Sequence, residues 1–477
     1  MLAAALAAGA ALRFAGLGAR EMSADEGASW AAASAATASE VLRLQAQLNA
    51  GKLALHDLAL HAWINAFGDG VASMRAMSAA LGTVAIALVY LVSRELLLWS
   101  QVSPEDDGGG HAEAAWVASL SALLFAVSTV PINYSRELRM YPVLLAATLT
   151  QVWFVLRAAR VGGIKNYAGV TVFTALAVSA HFSALCVLAS EGLWLLYLLA
   201  SERGANAAVG SSETVRPTQR GRIAQREVVW KLAASIALGF ALMAPVMWGA
   251  LRAGAAAVGG GVLKWIRPPT PWDAVTIFKS GAGNFVLPIV GAVGAVLGWR
   301  WARGAVVFAL VWMWVPVLLL LFASYMLTPI LVERYLLSSF VPLFILVALA
   351  AGSLNTRGAR WAGLALVTIL AVGQDVRYFR HRHNDAQWRE AAAIASAIVT
   401  PGQSIGVVPG YAVNVVRYYT AHEKRSEVVA ALDHPPGAAP SVVIVFDQGL
   451  SSDEAAALRA AYPNPVARLQ RLVVASR

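Results

Sequence analysis

Residues 12–27 read LRFAGLGAREMSADEG: an apolar run gives way within a few residues to two adjacent carboxylates, Asp25 and Glu26. An acidic pair just outside a membrane span is poor chemistry for a plain loop. It suits proton transfer, or the holding of a divalent cation, at the water–lipid boundary. The run before the pair covers residues 1–18 and carries only Arg13 as a charged side chain. Ten more apolar runs follow, at about 71–98, 114–132, 142–158, 167–182, 183–200, 230–250, 286–299, 304–323, 336–352 and 361–378. The fifth and sixth of the eleven are separated only by the polar region around His181, as in a broken or re-entrant span.

Composition points the same way. The 477 residues are 58% hydrophobic and 13% charged, whereas a soluble domain has about 25% charged residues. Mean hydropathy is +0.61. Runs of about 20 apolar residues are what helices need to cross a hydrocarbon core of about 30 Å. Several of the 16 tryptophans sit at run ends, as at Trp30, Trp116, Trp230, Trp299 and Trp361, in the manner of an interfacial belt. The pattern predicts a polytopic α-helical membrane protein of about eleven spans over residues 1–378, with long outer loops at 19–70 and 251–285. The first run reads as an uncleaved span, because cleavage would detach it from the acidic pair.

The net charge of +10 comes with no basic block interleaved with aromatics, which excludes nucleic acid as a partner. Cys186 is the only cysteine, so an intramolecular disulfide and a zinc–cysteine cluster are excluded as well. Arg203, Arg216, Arg220, Arg222 and Arg226 concentrate in the loop 201–229. The positive-inside rule puts that loop in the cytoplasm and the acidic pair on the outer face of a bacterial cytoplasmic membrane. A glycine run at Gly259–Gly261 with Pro268, Pro269 and Pro271 predicts an irregular loop able to cover a ligand. After residue 378 the composition changes. An amphipathic stretch 385–399, strand-like QSIGVVP, a helix near 411–421, strand-like SVVIVF at 441–446, a helix at 452–462 and a last strand near 466–474 predict a small α/β domain, 379–477, outside the membrane.

Four groups of residues can carry chemistry. In the first, Ser23 with Glu26 three residues later also fits a capping box, which orients the pair without excluding Asp25 as general base and Glu26 as orienter or metal ligand. The second is YSRELRMY, 134–141, where helical spacing would group Glu137 with Tyr141 and Arg136 with Arg139. Arg139 suits a phosphate, and Glu137 suits a cation or Arg139. The third is VERYL, 332–336, where Arg334 offers a second guanidinium, or pairs simply with Glu333. The fourth comprises His56, His61 and His181. His56 and His61 are five apart rather than the four of a helical zinc pair, and His181 is placed to reach the same cavity.

These motifs, in this order over residues 10–350, resemble the GT-C superfamily of integral-membrane glycosyltransferases, in particular the group containing protein O-mannosyltransferases and the lipid A aminoarabinose transferase. LRFAGLGAREMSADEG looks like that family's first span and acidic motif. HAWINAFGDGVASMRAMSAALG (61–82) looks like its approach to the second span, YSRELRMY like its Glu-x-Arg-x-Tyr signature, AHFSAL like its polar–aromatic stretch, and ERYLLSSFVPLF like the start of its late span. One departure stands out: many relatives carry Pro-Pro-Leu before the second span, where this chain reads LALHDLALH (53–61).

The resemblance implies inverting transfer of a sugar from a polyprenyl-phosphate donor to a hydroxyl of a lipid, glycan or protein on the outer face. Asp25 would be the base, and Arg139 and Arg334 would take the donor phosphate. Glu137, Tyr141, His181 and Tyr335 would line the substrate cavity. No cofactor is required by this reading, with a divalent metal at Glu26 or Glu137 as an option. The rival class is a transporter or flippase of lipid-linked sugars. Transporters show internal repeats and broken helices at the midplane, whereas this sequence has no visible repeat and its charged motifs cluster at one face.

Overall fold

The computed structural model describes residues 1–49, 52–100, 109–208, 219–259, 266–354, scattered positions between 356 and 373, 387–400, 402–431, 439–446, 450 and 452–477. The expected span at 361–378 lies mostly outside the described residues.

Helix α1 (Leu2–Phe14) ends in the turn that leads to the acidic pair. Three short helices follow: α2 (Ala24–Ala33), α3 (Ala38–Leu48) and α4 (Leu55–Phe67). Then come α5 (Val71–Ser100), α6 (Gly109–Ala126), α7 (Thr129–Ser135), α8 (Tyr141–Val161), α9 (Ile164–Ala180), α10 (Ala184–Ala208) and α11 (Gln219–Gly259). The last part of the bundle is α12 (Asp273–Ala282), α13 (Val286–Gly298), α14 (Arg303–Met326), a 3₁₀ segment Glu333–Phe340 and α15 (Val341–Gly352).

Among the described residues, six helices are long and apolar enough to cross a membrane, or up to eight when each of two bent pairs is taken as one span. The bent pairs are α6 with α7, at 63°, and α12 with α13, at 105°. The apolar runs at 1–18 and 167–182 form helices of 13 and 17 residues. The second of these breaks from α10 at the His181 region. The stretch expected as a loop at 251–285 is largely helical: α11 continues through Gly259, and α12 occupies 273–282. The alanine-rich stretch 253–257 favours helix up to Gly259, where the glycine run begins and ahead of the prolines.

The bundle core is packed from α5, α6, α8, α14 and α15, with Trp312, Phe308, Phe125 and Phe344 fully buried. Helices α13 and α15 cross closely because Gly291 and Gly294 face Leu343 and the carbonyl of Leu346. Apolar attraction between helices is weak in lipid, so such backbone proximity does much of the packing.

The tail folds as expected with two additions. Helix α16 (Trp388–Ile398), strand β1 (Ile405–Val408), helix α17 (Val413–Tyr419), strand β3 (Val442–Phe446) and helix α18 (Ser452–Ala461) match the sequence pattern. The short strand β2 (Val428–Ala430) and the split of the last strand into a hairpin, β4 (Asn464–Arg468) and β5 (Leu472–Ser476), do not. The sheet order is β2-β1-β3-β5-β4, parallel across β2, β1 and β3 and antiparallel beyond. Strands β1 and β3 are buried runs of Val and Ile, as parallel strands covered on both faces require.

Replacing Gly294 with Ala puts a methyl group onto the Leu346 carbonyl and should cost about 1–3 kcal/mol by overpacking. Replacing Gly192 with Ala, where nothing lies within 4 Å, should be neutral or stabilising by up to about 1 kcal/mol. Thermal unfolding of the two variants in the same detergent checks the contrast.

Candidate active site

Helix α2 begins with a complete capping box. Ser23 Oγ accepts from the Glu26 amide at 3.2 Å, and Glu26 Oε2 accepts from the Ser23 amide at 2.8 Å. The helical step of about 100° per residue sends Asp25, Glu26 and Gly27 in three different directions.

Glu26 points into the bundle and is fully buried against Arg75 of α5, itself 2% exposed. Arg75 Nε donates to Oε1 and Nη2 to Oε2, both at 2.8 Å. Its other N–H groups go to the carbonyls of Leu17, Arg20 and Glu21 at 2.7–2.9 Å. Glu26 Oε1 also accepts the Leu138 amide at 2.9 Å. Burial pushes the Glu26 carboxyl up, but the charge and hydrogen bonds of Arg75, with Arg20 and the Ser23 amide, outweigh it and hold it at about 2.

Asp25 points the other way, into a cavity of about 430 Å³, with its side chain 56% exposed. Its Oδ2 lies 3.9 Å from Arg139 Nη2 and 3.7 Å from Arg334 Nη1. Arg139 is buried and also donates to the Asp25 carbonyl at 2.7 Å and Ser29 Oγ at 3.0 Å. Arg139 holds the Asp25 carboxyl down at about 2 against the upward push of burial, with Lys52 and Arg334 adding to the effect. Glu137 and Tyr141 line the same cavity, with Arg20 3.9 Å from Glu137 Oε1. From the C-terminal domain, Trp388, Tyr411, Phe446 and Arg471 form the facing wall. Arg471 lies in the tip of the β4–β5 hairpin, which is tethered where the Gln470 amide donates to Gln387 Oε1 at 3.1 Å.

Several expectations change. Residues 136–140 are a turn between α7 and α8, not helix, so helical spacing does not group their charges. Arg136 donates to the carbonyls of Leu12, Arg13 and Gly16 at the end of α1, and only Arg139 reaches Asp25. Glu333 accepts from Tyr134 Oη at 3.1 Å while Arg334 turns to Asp25. His181 and Tyr335 do not line the cavity. Their rings meet at a tilt of 35° with centroids 4.8 Å apart, and His181 also lies 6.4 Å from the Tyr141 ring. His181 Nδ1 accepts the Ser183 amide at 3.1 Å, which caps the break between α9 and α10.

Nor do Glu26 and Glu137 fit a divalent cation. The oxygens of Glu26 are occupied by Arg75 and two amides, and Arg20 sits 3.9 Å from both acids. Among the described residues no three His, Cys, Asp or Glu side chains converge as metal ligands.

Sequence reading missed Lys52. It follows α3, where Gln45 Nε2 donates to its carbonyl at 2.8 Å and its Nζ donates to Asn49 at 3.2 Å. Burial, together with Arg139 and Arg334, lowers its ammonium to about 7, against the opposing pull of Asp25 and Asp57. The signal was a lone lysine directly before LALHDLALH. The arrangement therefore offers one exposed carboxylate beside Arg139 and Arg334, with the charge of Lys52 felt at it: a proton acceptor beside a site for an anion.

Replacing Arg75 with Met leaves the Glu26 carboxylate buried without its partner and should cost about 3–5 kcal/mol, read by thermal unfolding. Because the folded Glu26 carboxyl is depressed from 4.5 to about 2, its contribution is complete above pH 4.5 and lost as pH falls towards 2. The stability of Glu26→Gln should accordingly depend less on pH over that window than that of the wild type.

No protein-family profile and no curated protein sequence matches the chain. Solved structures do. ArnT from Cupriavidus metallidurans in the apo state aligns over 99% of this chain and 97% of its own, with a TM-score of 0.61 at 14% identity. The same protein bound to undecaprenyl phosphate gives 0.61 at 13% over the same shares. The archaeal oligosaccharyltransferase AglB from Archaeoglobus fulgidus, in complex with an inhibitory peptide and a dolichol-phosphate, aligns over 94% of this chain and 69% of its own, with a TM-score of 0.54 at 11%. Identities this low speak for the fold alone: the chain shares the fold of ArnT and of AglB.

Proposed function

We propose that the protein is an inverting glycosyltransferase that moves a sugar from a polyprenyl-phosphate donor to a hydroxyl acceptor at the outer face of a bacterial cytoplasmic membrane. The observation that carries this reading is the Asp25 carboxylate, held 3.7–3.9 Å from the guanidinium groups of Arg334 and Arg139 in an open cavity at one end of the bundle. Two proteins of the same fold have been solved with lipid phosphates, ArnT with undecaprenyl phosphate and AglB with a dolichol-phosphate. An anionic lipid headgroup suits the cationic ring around Asp25.

In this reading the donor phosphate lies against Arg139, Arg334 and Lys52. The acceptor oxygen attacks the anomeric carbon from the side opposite the phosphate, and its proton passes to the Asp25 carboxylate. The bond from the anomeric carbon to the phosphate oxygen breaks, and the electron pair leaves with the lipid phosphate, whose growing charge the cations stabilise. A carboxyl held at about 2 is a weak base in the empty site. The arriving phosphate offsets the cations that hold it down, so donor binding strengthens the base. Guanidinium and ammonium groups supply the charge that a metal ion would otherwise supply.

Charge supports the outer-face placement. Arg157, Arg160, Arg303 and Arg360 sit at the end of the bundle away from the cavity, because α8 and α14 run from one end to the other. The positive-inside rule favours that basic end as the cytoplasmic one.

Asp25→Asn should lower kcat by about 10²–10⁴-fold in a protein that still binds undecaprenyl phosphate. Undiminished transfer would remove Asp25 from the chemistry. The test is transfer from a panel of polyprenyl-phosphate sugars by purified protein, with membrane extract as acceptor; absence of transfer by the wild type with every donor would favour a transporter. The donor is a phosphodiester of fixed charge, so a pH effect on its binding reports the protein. Lys52 is charged below about 7 and loses its proton above. KM for the donor should therefore rise as pH goes from 6 to 9, and Lys52→Met should flatten that profile at a higher KM.

A further inference from the structure

The C-terminal domain meets the membrane-embedded half of the molecule chiefly on α2, the helix that presents Asp25. Gly27 faces α17 so closely that a Cβ there would lie 2.6 Å from the Val415 nitrogen and 2.8 Å from its Cα. Just before the helix, the Met22 amide donates to Tyr419 Oη at 2.8 Å, and Glu21 Oε2 accepts the Arg389 amide at 3.1 Å. Near its other end, Trp30 packs edge-on against Tyr418 at 5.0 Å, with the Arg425 guanidinium 5.1 Å from its ring. Trp30 Nε1 and Tyr418 Oη then converge on Asp69, donating to its carboxylate and carbonyl at 3.2 and 3.1 Å. Contacts at the start, middle and end of a ten-residue helix fix its translation as well as its tilt.

We propose that α17 is a clasp that positions the base, with Gly27 and Tyr419 as positioning residues that act through α2 on Asp25. Residues 25, 26 and 27 divide the work. Glu26 anchors the helix to the bundle through Arg75, Gly27 lets the C-terminal domain press a second side, and Asp25 is held in the remaining direction towards Arg139 and Arg334. A helix this short, joined to α1 by a turn and to α3 by four residues, has little intrinsic stability. Without the clasp, Asp25 would rest on the Glu26–Arg75 pair and the Arg139 contacts alone. A side chain at Gly27 needs roughly 1 Å more room against the Val415 backbone, and a displacement of about 1 Å at a reacting group can cost about 100-fold in rate. The domain thereby belongs to the catalytic geometry although its backbone lies outside the membrane bundle.

The activity arm of the test rests on the glycosyltransferase reading, and a second arm does not. Full-length Gly27→Ala and Tyr419→Phe are compared with the wild type for kcat and donor KM, for undecaprenyl phosphate binding, and for hydrogen exchange of the amides of 24–33. The expected result is a kcat lowered about 10–100-fold in Gly27→Ala and less in Tyr419→Phe. Donor KM should stay within about threefold, phosphate-lipid binding should persist, and α2 should exchange faster while α5 and α8 do not. Unchanged kcat with unchanged α2 exchange overturns the proposal. Loss of lipid-phosphate binding together with faster exchange throughout the bundle also overturns it, since the residues would then act on the whole fold. Absence of transfer by the wild type would refute the glycosyltransferase reading instead, and the exchange arm would still decide whether α17 holds α2.

Discussion

The ion pair between Glu26 and Arg75 is the contact on which the site's geometry depends. Two charges leave water completely to make it, a step that costs several kcal/mol for each ion. The cost is met by full satisfaction of both groups. Arg75 spends all five of its N–H donors on Glu26 and on three carbonyls of the turn after α1. Glu26 accepts two guanidinium bonds and two amides, from Ser23 and Leu138. Four segments are thereby fixed at one point: the end of α1, the start of α2, the body of α5 and the turn 136–140. The same pair sets the rotation of α2 about its axis, and the rotation decides that Asp25 rather than Glu26 faces the cavity.

The cavity adds an electrostatic condition to this mechanical one. Asp25 is the acid that Arg139 and Arg334 flank, with the charge of Lys52 also felt at it, while Glu137 has Arg20 at its side. The excess of cations keeps Asp25 ionised and weakly basic, while burial, with Arg139 and Arg334 adding to it, keeps the Lys52 ammonium close to losing its proton. Both groups are therefore poised to respond to an arriving anion. One bound phosphate would raise the basicity of Asp25 and the proton affinity of Lys52 together. In the proposed reaction, binding and proton transfer would be coupled through a single field rather than through a moving part.

Much of this was legible in the residues. Hydropathy runs gave the helical bundle, the capping pattern at Ser23 and Glu26 gave the start of α2, and alternating periods after residue 378 gave the tail's α/β character. These are local signals, each contained in a window of about ten to twenty residues. The errors were local as well. The pattern suggests helical spacing over 136–140, where the chain turns, and a loop over 251–259, where α11 continues. Strand β2 is only three residues long, too short to leave a period, and the β4–β5 hairpin was read as one strand.

The sequence by itself determined that the chain builds apolar helices and that its acidic pair lies at their edge. It did not determine which member of the pair meets solvent, because neighbours on a helix differ in direction by about 100° and only the partner at Arg75, 49 positions away, selects between them. It did not reveal Lys52, whose importance comes from proximity to groups far along the chain. Nor did it show that the C-terminal domain closes on α2, since a glycine at 27 carries no signal until Val415 is found against it. Secondary structure follows from short-range periodicity and is written in the sequence. The direction of a charge and the company it keeps are long-range facts, and only the folded chain decides them.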